Sequence, residues 1–120
     1  MNFKFERLEV WQLSIDFAHE MVKLANKLPK EYRYSLADQL RRAAISIPTN
    51  IAEGTGRETS KNQANFYRIA KGSAYEVVSL LVLTEKFGLI RRSDYQDHYN
   101  RGNNIAAMLN GLIKVNQDTP

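Results

Sequence analysis

The most informative absences in this sequence of 120 residues are those of cysteine and of long apolar segments. Without cysteine, the chain can form no disulfide, no thiolate nucleophile and no cysteine-ligated zinc site. No apolar run approaches the ~20 residues that a membrane-spanning helix needs. Residues 1–12 also lack the continuous apolar core of a signal peptide. We therefore expect a cytoplasmic protein with no membrane partner.

Proline and glycine are scarce, with three and six copies, and no convincing alternating pattern indicates a strand. Apolar residues instead recur at helical spacing in four segments, at about residues 7–28, 35–53, 60–87 and 93–116. Four long helices with short connections predict one all-α domain over residues 1–120, an up-down-up-down antiparallel four-helix bundle. Residues 116–120 are predicted to form a frayed tail.

Residues with capping preferences mark the ends of these predicted helices. Three helices are predicted to begin at serine caps, in two cases with a capping-box partner: Ser35, the pair Ser60 and Gln63, and the pair Ser93 and Gln96. Gly54 is predicted to adopt the left-handed conformation after the second helix. Gly88 is predicted to end the third helix, with Leu89 folding back onto the last turn.

Pro48 falls inside the second predicted helix. The apolar spacing of Ala44, Ile47 and Ile51 continues through it, and Ile47 would cap a new helix poorly. We therefore predict one continuous helix with a proline kink, in which the carbonyl of Ala44 loses its usual donor.

Polar residues near this proline present a choice between a structural and a catalytic role. We predict a structural polar network that compensates for Pro48 and fixes the helix register, formed by Gln39, Ser46, Asn50, Glu53 and Glu76. An enzyme using Asn50, Glu53 and Glu76 is the alternative. No serine-hydrolase motif accompanies these residues, and a phosphate-binding loop is excluded because Gly54 and Gly56 follow a helix and no strand is predicted before them. We expect a non-enzymatic protein without a cofactor or metal.

The two histidines do not change this expectation. His19 and His98 are distant in sequence and have no metal-ligating partners at helical spacing. Each is predicted to be a surface or capping residue.

The first helix carries two apolar stripes. One is formed by Leu8, Trp11, Ile15, Ala18, Val22 and Ala25, and the other by Val10, Leu13, Phe17, Met21, Leu24 and Leu28. A bundle core requires one stripe, so the second predicts contact with another copy of the chain. Central burial within one bundle is the simpler alternative.

The net charge of +4 arises beyond residue 28, because residues 1–28 carry four basic and four acidic side chains. Six cations are predicted to contact phosphates of RNA or DNA: Arg41, Arg42, Arg57, Lys61, Arg68 and Lys71. Tyr75 shares the strip of the third helix and is placed to stack on a base. The alternative is a solvated surface balanced by nearby glutamates.

Three segments, FERLEVWQ, LADQLRRAAISIPTNIAEGTGR and FYRIAKGSAYEV, together resemble the 23S rRNA intervening-sequence proteins, also called S23 ribosomal proteins. The resemblance spans about residues 5–90. It implies a small cytosolic bacterial four-helix protein that forms a homopentamer, and a fold similar to nucleic-acid-binding partners of reverse transcriptases. Val78 departs from the pattern, because the family often has a second acid at this position.

These observations predict a non-enzymatic homo-oligomer that binds RNA or DNA through repeated basic surfaces. The alternative is an oligomeric protein-interaction scaffold, for example for a polymerase or reverse transcriptase, without direct nucleic-acid binding.

Overall fold

The computed structural model describes residues 2–117 and confirms the all-α fold, since this part of the chain contains four α-helices and no strand. The helices are α1 (Glu9–Lys27), α2 (Leu36–Thr55), α3 (Ser60–Lys86) and α4 (Arg92–Gln117), with short 3-10 helices at Lys4–Arg7 and Lys30–Tyr32. None of the helices in this range is long and apolar enough to cross a bilayer.

The helices pack as a bundle around one elongated core. Helix α1 packs against α2 and α4, and α3 packs against α2 and α4, in a body of 48 × 23 × 23 Å. The largest fully buried apolar side chains come from all four helices: Phe17, Met21, Leu40, Ile47, Ile51, Val77, Leu81, Ile105 and Leu109. Burial of these side chains supplies the main driving force for folding, at roughly 1.5–3 kcal/mol for each large one.

Both apolar stripes of α1 contribute to this core. Phe17 and Met21 of one stripe are buried, and so are Ala18 and Ala25 of the other. Burial within one chain, the simpler alternative, therefore accounts for much of the pattern. It leaves Ile15, in the stripe that begins at Leu8, 41% exposed.

The structure corrects two of the three predicted helix starts. Thr59, not Ser60, caps α3, because its hydroxyl accepts a hydrogen bond of 3.1 Å from the backbone N–H of Asn62. Helix α4 already begins at Arg92, which places Ser93 inside the first turn. Ser35 does occupy the N-cap position of α2, but its side chain makes no capping hydrogen bond.

Of the predicted helix ends, the end of α3 is confirmed and those of α2 and α4 are corrected. Gly88 has a φ of +73° after α3, and the N–H of Leu89 donates to the carbonyl of Thr84 at 3.0 Å, which confirms the predicted stop. The left-handed conformation predicted for Gly54 is wrong, because α2 continues through it to Thr55. In α4, residues 116 and 117 are still helical, so the frayed tail is wrong for these two, and residues 118–120 lie outside the described range.

The prediction of a helix that continues through Pro48 is confirmed. Helix α2 runs unbroken from Leu36 to Thr55 with Pro48 in its interior, and Ile47 and Ile51 on either side are fully buried. The packing of these side chains offsets the backbone hydrogen bond that a proline removes, a loss of about 3 kcal/mol in an isolated helix.

Candidate nucleic-acid interface

A small polar cluster joins α2 to α3. The side-chain amide of Asn50 donates to the carbonyl oxygen of Ser46 at 2.8 Å and to its hydroxyl at 2.9 Å. The hydroxyls of Ser46 and Ser73 are 2.8 Å apart and share a hydrogen bond between the two helices. Ser73 is not in the predicted network, because its pairing with Ser46, 27 positions away, depends on how α2 and α3 pack.

The other predicted members of the network lie outside this cluster. Glu53 accepts a hydrogen bond from Arg57 at 3.4 Å. The side chains of Gln39 and Glu76 are exposed and make no hydrogen bond within residues 2–117. No hydrogen bond therefore links Asn50, Glu53 and Glu76, and the described residues contain no group of three side chains placed to hold a metal ion.

The cluster also does not replace the hydrogen bond that Pro48 removes. Thr49 donates to the carbonyl of Ile45 at 3.0 Å and Asn50 to that of Ser46, whereas the proline leaves the carbonyl of Ala44 without its donor. The two side chains therefore add a hydrogen bond to the carbonyls of Ile45 and Ser46, which are not the carbonyl that the proline leaves without a donor. We therefore assign the cluster to the α2–α3 contact.

Gly54 lets α2 and α3 approach closely beside this cluster. A Cβ atom at this position would lie 2.9 Å from Cβ of Phe66, 3.0 Å from Cε1 of Tyr67 and 3.2 Å from the carbonyl oxygen of Gln63. Burial raises the pKa of the Tyr67 phenol, and a hydrogen bond with Thr55 opposes that rise. The phenol therefore stays protonated inside a tightly packed helix junction.

The basic strip of α3 consists of Lys61, Arg68, Lys71 and Lys86, which recur at helical spacing along its outer side. Within residues 2–117, no carboxylate oxygen lies within 4.0 Å of any of these four cations. Arg68 donates to Oδ1 of Asn65 at 3.1 Å, and Nζ of Lys71 lies 5.5 Å from the ring centroid of Tyr75. None of the four cations of the strip is therefore held in an ion pair within the described residues.

Most other arginines on the surface are paired with carboxylates. The ion pairs are Lys23–Glu20, Arg42–Asp38, Arg57–Glu53, Arg91–Asp94, Arg92–Glu85 and Arg101–Asp97. Each pair reduces the local positive potential, because the two opposite charges largely cancel at the distance of an approaching phosphate. The basic strip is distinguished by the concentration along one helix of four cations that are unpaired within residues 2–117.

The six cations predicted to contact phosphates divide into two groups. Lys61, Arg68 and Lys71 lie on the basic strip. Those of the second group are engaged elsewhere: Arg41 with Oδ1 of Asn26 at 3.1 Å, Arg42 with Asp38 at 3.2 Å, and Arg57 with Glu53 and the ring of Phe66. The spacing of four residues to Asp38 and Glu53 is a sequence signal for the pairing of Arg42 and Arg57, whereas the contact of Arg41 with Asn26 depends on how α1 and α2 pack.

His98 lies in a separate cleft between α1 and α4. Its Nδ1 atom is buried and has no hydrogen-bond partner within the described residues. Burial lowers the pKa of the imidazole, the carboxylates of Asp97 and Glu20 oppose this shift, and Arg101 adds to it. His98 lies in the second turn of α4 and is half-buried where it lines this cleft, whereas His19 is exposed as predicted.

We expect His98→Gln to reduce the fall in the free energy of unfolding that accompanies a drop in pH. Because the folded state holds the pKa of His98 below its usual value, the unfolded chain binds the proton first and stability falls as the pH drops through that window. Urea unfolding between about pH 5 and 8 measures the effect. His19→Gln, at an exposed position, is the matched control; an equal decline in wild type and His98→Gln would contradict the assignment.

Comparison with known proteins identifies relatives of the whole bundle. A sequence model of the 23S rRNA-intervening sequence proteins matches residues 6–111. A crystal structure at 1.70 Å of a protein of unknown function from the S23 ribosomal protein family, from Bacteroides thetaiotaomicron, superposes with a TM-score of 0.82. The two proteins are 28% identical in sequence, and the match covers 88% of this chain and 98% of the other.

Among curated proteins, none is significantly similar. The family match includes every helix, and the chain therefore belongs to the 23S rRNA-intervening sequence protein family.

Proposed function

We propose that this protein is a non-enzymatic, homo-oligomeric helical bundle of the bacterial cytoplasm that binds RNA or DNA through repeated basic surfaces. The observation that carries the proposal is the basic strip of α3, whose four cations lack carboxylate partners while most surface arginines have one. Unpaired cations can neutralise phosphates and release counterions without first breaking an ion pair.

The length of the strip suits a polyanion. Lys61 and Lys86 are 25 positions apart on one helix, which corresponds to about 37 Å at the rise of an α-helix. A small anion would contact one end of such a strip, whereas a nucleic-acid backbone can follow all of it. The proposal assigns no catalytic role to Asn50 or Glu53, because Asn50 is held by Ser46 and Glu53 by Arg57.

Self-association would multiply the phosphate contacts. Ile15 of α1 and Ile45 of α2 are 41% and 49% exposed and offer apolar surface to another copy. The family resemblance points to a pentamer, in which the basic strip would be repeated five times. Repetition raises the affinity for a long polyanion well above that of one strip.

We further propose the alternating helix direction and the kink at Pro48 as parts of this architecture. Contacts between neighbouring helices support antiparallel pairing, because they join late residues of one helix to early residues of the next: Asn26 with Arg41, Gly54 with Phe66, and Glu85 with Arg92. The loss of one backbone bond at Pro48 supports the kink.

The first test is the salt dependence of binding. Nuclease-treated protein is titrated into a labelled RNA hairpin and a labelled single-stranded DNA at about 50 to 500 mM salt, and the fluorescence anisotropy is recorded. We expect micromolar or tighter binding, with a log–log slope of about −3 or steeper, which corresponds to roughly four phosphate contacts. Absence of binding at low salt, or binding that salt does not weaken, would contradict the proposal.

The exposed isoleucines favour a second candidate, an oligomeric protein-interaction scaffold for a partner such as a polymerase. This candidate predicts no direct binding to RNA or DNA in the anisotropy experiment. It also predicts that a partner protein stays bound after nuclease treatment, and that Ile45→Ser, rather than loss of the basic strip, releases it. Release by nuclease alone would favour the nucleic-acid proposal.

A further inference from the structure

A groove of about 280 Å³ runs between α3 and α4 beside the basic strip. Small residues of both helices line it, including Ala74, Gly102 and Ala106. A Cβ atom on Gly102 would lie 2.8 Å from Cγ2 of Val78 and 3.4 Å from Cζ of Phe17, so the glycine lets the two helices come together at this level. The volume is just below the ~300–1,000 Å³ typical of small-molecule sites, so it suits a single planar fragment.

Aromatic rings border the groove on both helices. Tyr75 of α3 and Tyr99 of α4 line it and are 60% and 41% exposed. The ring centroids of Tyr99 and Tyr95 are 5.9 Å apart, so the ring of Tyr95 packs against that of Tyr99. Exposed tyrosines that line a groove offer π-faces on which a planar ring can stack.

The polar and charged groups around the groove favour an anionic occupant. No carboxylate is among the residues that line it, although the cleft between α1 and α4 is lined by Glu20, Asp94 and Asp97. Lys71 of the basic strip lies 5.5 Å from the ring centroid of Tyr75, at the edge of the groove.

Two amides add hydrogen-bonding capacity. Asn103 and Asn110 line the groove, are exposed, and make no hydrogen bond to another described residue. An amide side chain can donate and accept at the edge of a nucleobase. Cations beside aromatic rings and unsatisfied amides are the combination found where unpaired nucleotides bind.

We propose that this groove binds an unpaired base of a single-stranded nucleic acid, with the base against Tyr75 and Tyr99 and the flanking phosphates on the basic strip. The inference rests on the proposed function and makes it more specific, because it assigns a preference for single strands. In a duplex the bases are stacked on one another and cannot enter a groove on a helix surface. A single strand can turn one base inward while its phosphates follow α3.

The test compares oligouridine of about 12 nucleotides with a blunt RNA duplex of the same length. Tyr75→Leu/Tyr99→Leu should weaken oligouridine binding by between about 5- and 150-fold, the loss expected for one stacked base. The salt slope and duplex affinity should not change, because every cation of the basic strip is retained. Tyr75→Phe/Tyr99→Phe, the matched control, keeps the rings and should bind oligouridine within about twofold of wild type.

The remaining outcomes separate this inference from the proposed function. If wild type binds neither RNA, the proposed function fails and the inference fails with it. If wild type binds both and the leucine variant is unchanged, or is weakened equally toward both, the groove inference alone is overturned. If sedimentation shows that the leucine variant has a different oligomeric state, the groove is a contact between copies, which also overturns the inference.

Discussion

Replacing Lys61, Arg68 and Lys71 together with glutamine should lower the affinity for the RNA hairpin by about 500-fold at roughly 0.1 M salt. The estimate follows from counterion release. The logarithm of the binding constant falls by about 0.9 per tenfold rise in salt for each neutralised phosphate, so each contact strengthens binding roughly eightfold at 0.1 M relative to 1 M salt, and three contacts give about 500-fold. The log–log plot should become shallower by about one unit for each phosphate that the variant no longer neutralises. Anisotropy titrations of wild type and variant measure both quantities.

The chain offers a control with the same change in net charge. Lys23→Gln/Arg91→Gln/Arg101→Gln also removes three positive charges from a protein of net charge +4, but each of these cations is paired with a carboxylate away from the basic strip. We expect the affinity of this variant to fall much less, because its basic strip remains intact. Equal reductions in the two variants would show that overall charge, rather than the strip, governs binding.

We expect the glutamine substitutions in the basic strip to have little effect on the free energy of unfolding, so that a change in affinity reports on binding. Lys61 and Arg68 are exposed, Lys71 is half-exposed, and none of the three has an ion pair among residues 2–117. Substitutions at such surface positions usually change the free energy of unfolding by less than about 0.5 kcal/mol. Thermal unfolding monitored by circular dichroism would verify that both variants are folded.

Gly54→Val should lower the free energy of unfolding by about 3 kcal/mol, the upper part of the usual range for overpacking. Even a Cβ would lie 2.9 Å from Cβ of Phe66 and 3.2 Å from the carbonyl oxygen of Gln63. Neither atom is at the end of a flexible side chain, so α2 and α3 must move apart. The higher helix propensity of valine recovers only a few tenths of a kcal/mol.

Gly72→Val is the matched control, because Gly72 is also helical but has no atom within 4 Å of an added Cβ. We expect it to change the free energy of unfolding by less than about 0.5 kcal/mol, with helix propensity as the main effect. Urea unfolding of both variants and wild type supplies the comparison. A Gly54→Val variant as stable as Gly72→Val would show that the two helices have room to separate.

Gly54 and the polar cluster both contribute to the contact between α2 and α3. The two residues lie on the same helix, and each contacts α3, through Phe66 at one level and Ser73 at the next. Separation of the helices at Gly54 would lengthen the 2.8 Å hydrogen bond between Ser46 and Ser73. Because bonds between neighbouring positions are coupled, the destabilisation in Gly54→Val should not add to that in Ser46→Ala.

The sequence by itself determined the features that depend on local periodicity. Apolar residues at helical spacing were sufficient to find four helices, and the spacing through Pro48 was sufficient to predict that α2 continues. Gly88 was also found from sequence, because a positive φ is a property of one residue and its immediate neighbours. Helix boundaries were accurate to within two residues, because competing caps such as Thr59 and Ser60 are adjacent.

The tertiary structure alone decided which residues meet across helices. A glycine after a helical run suits a left-handed cap, but Gly54 is helical because its missing side chain is needed against Phe66 and Tyr67. Charge follows the same division: the pairing of Arg42 with Asp38, four residues earlier, is local to α2, whereas Arg41 meets Asn26 and Arg92 meets Glu85 only because the helices pack together. Local propensity and local pairing act over a few residues, whereas packing and contacts between helices depend on distances that the folded chain sets.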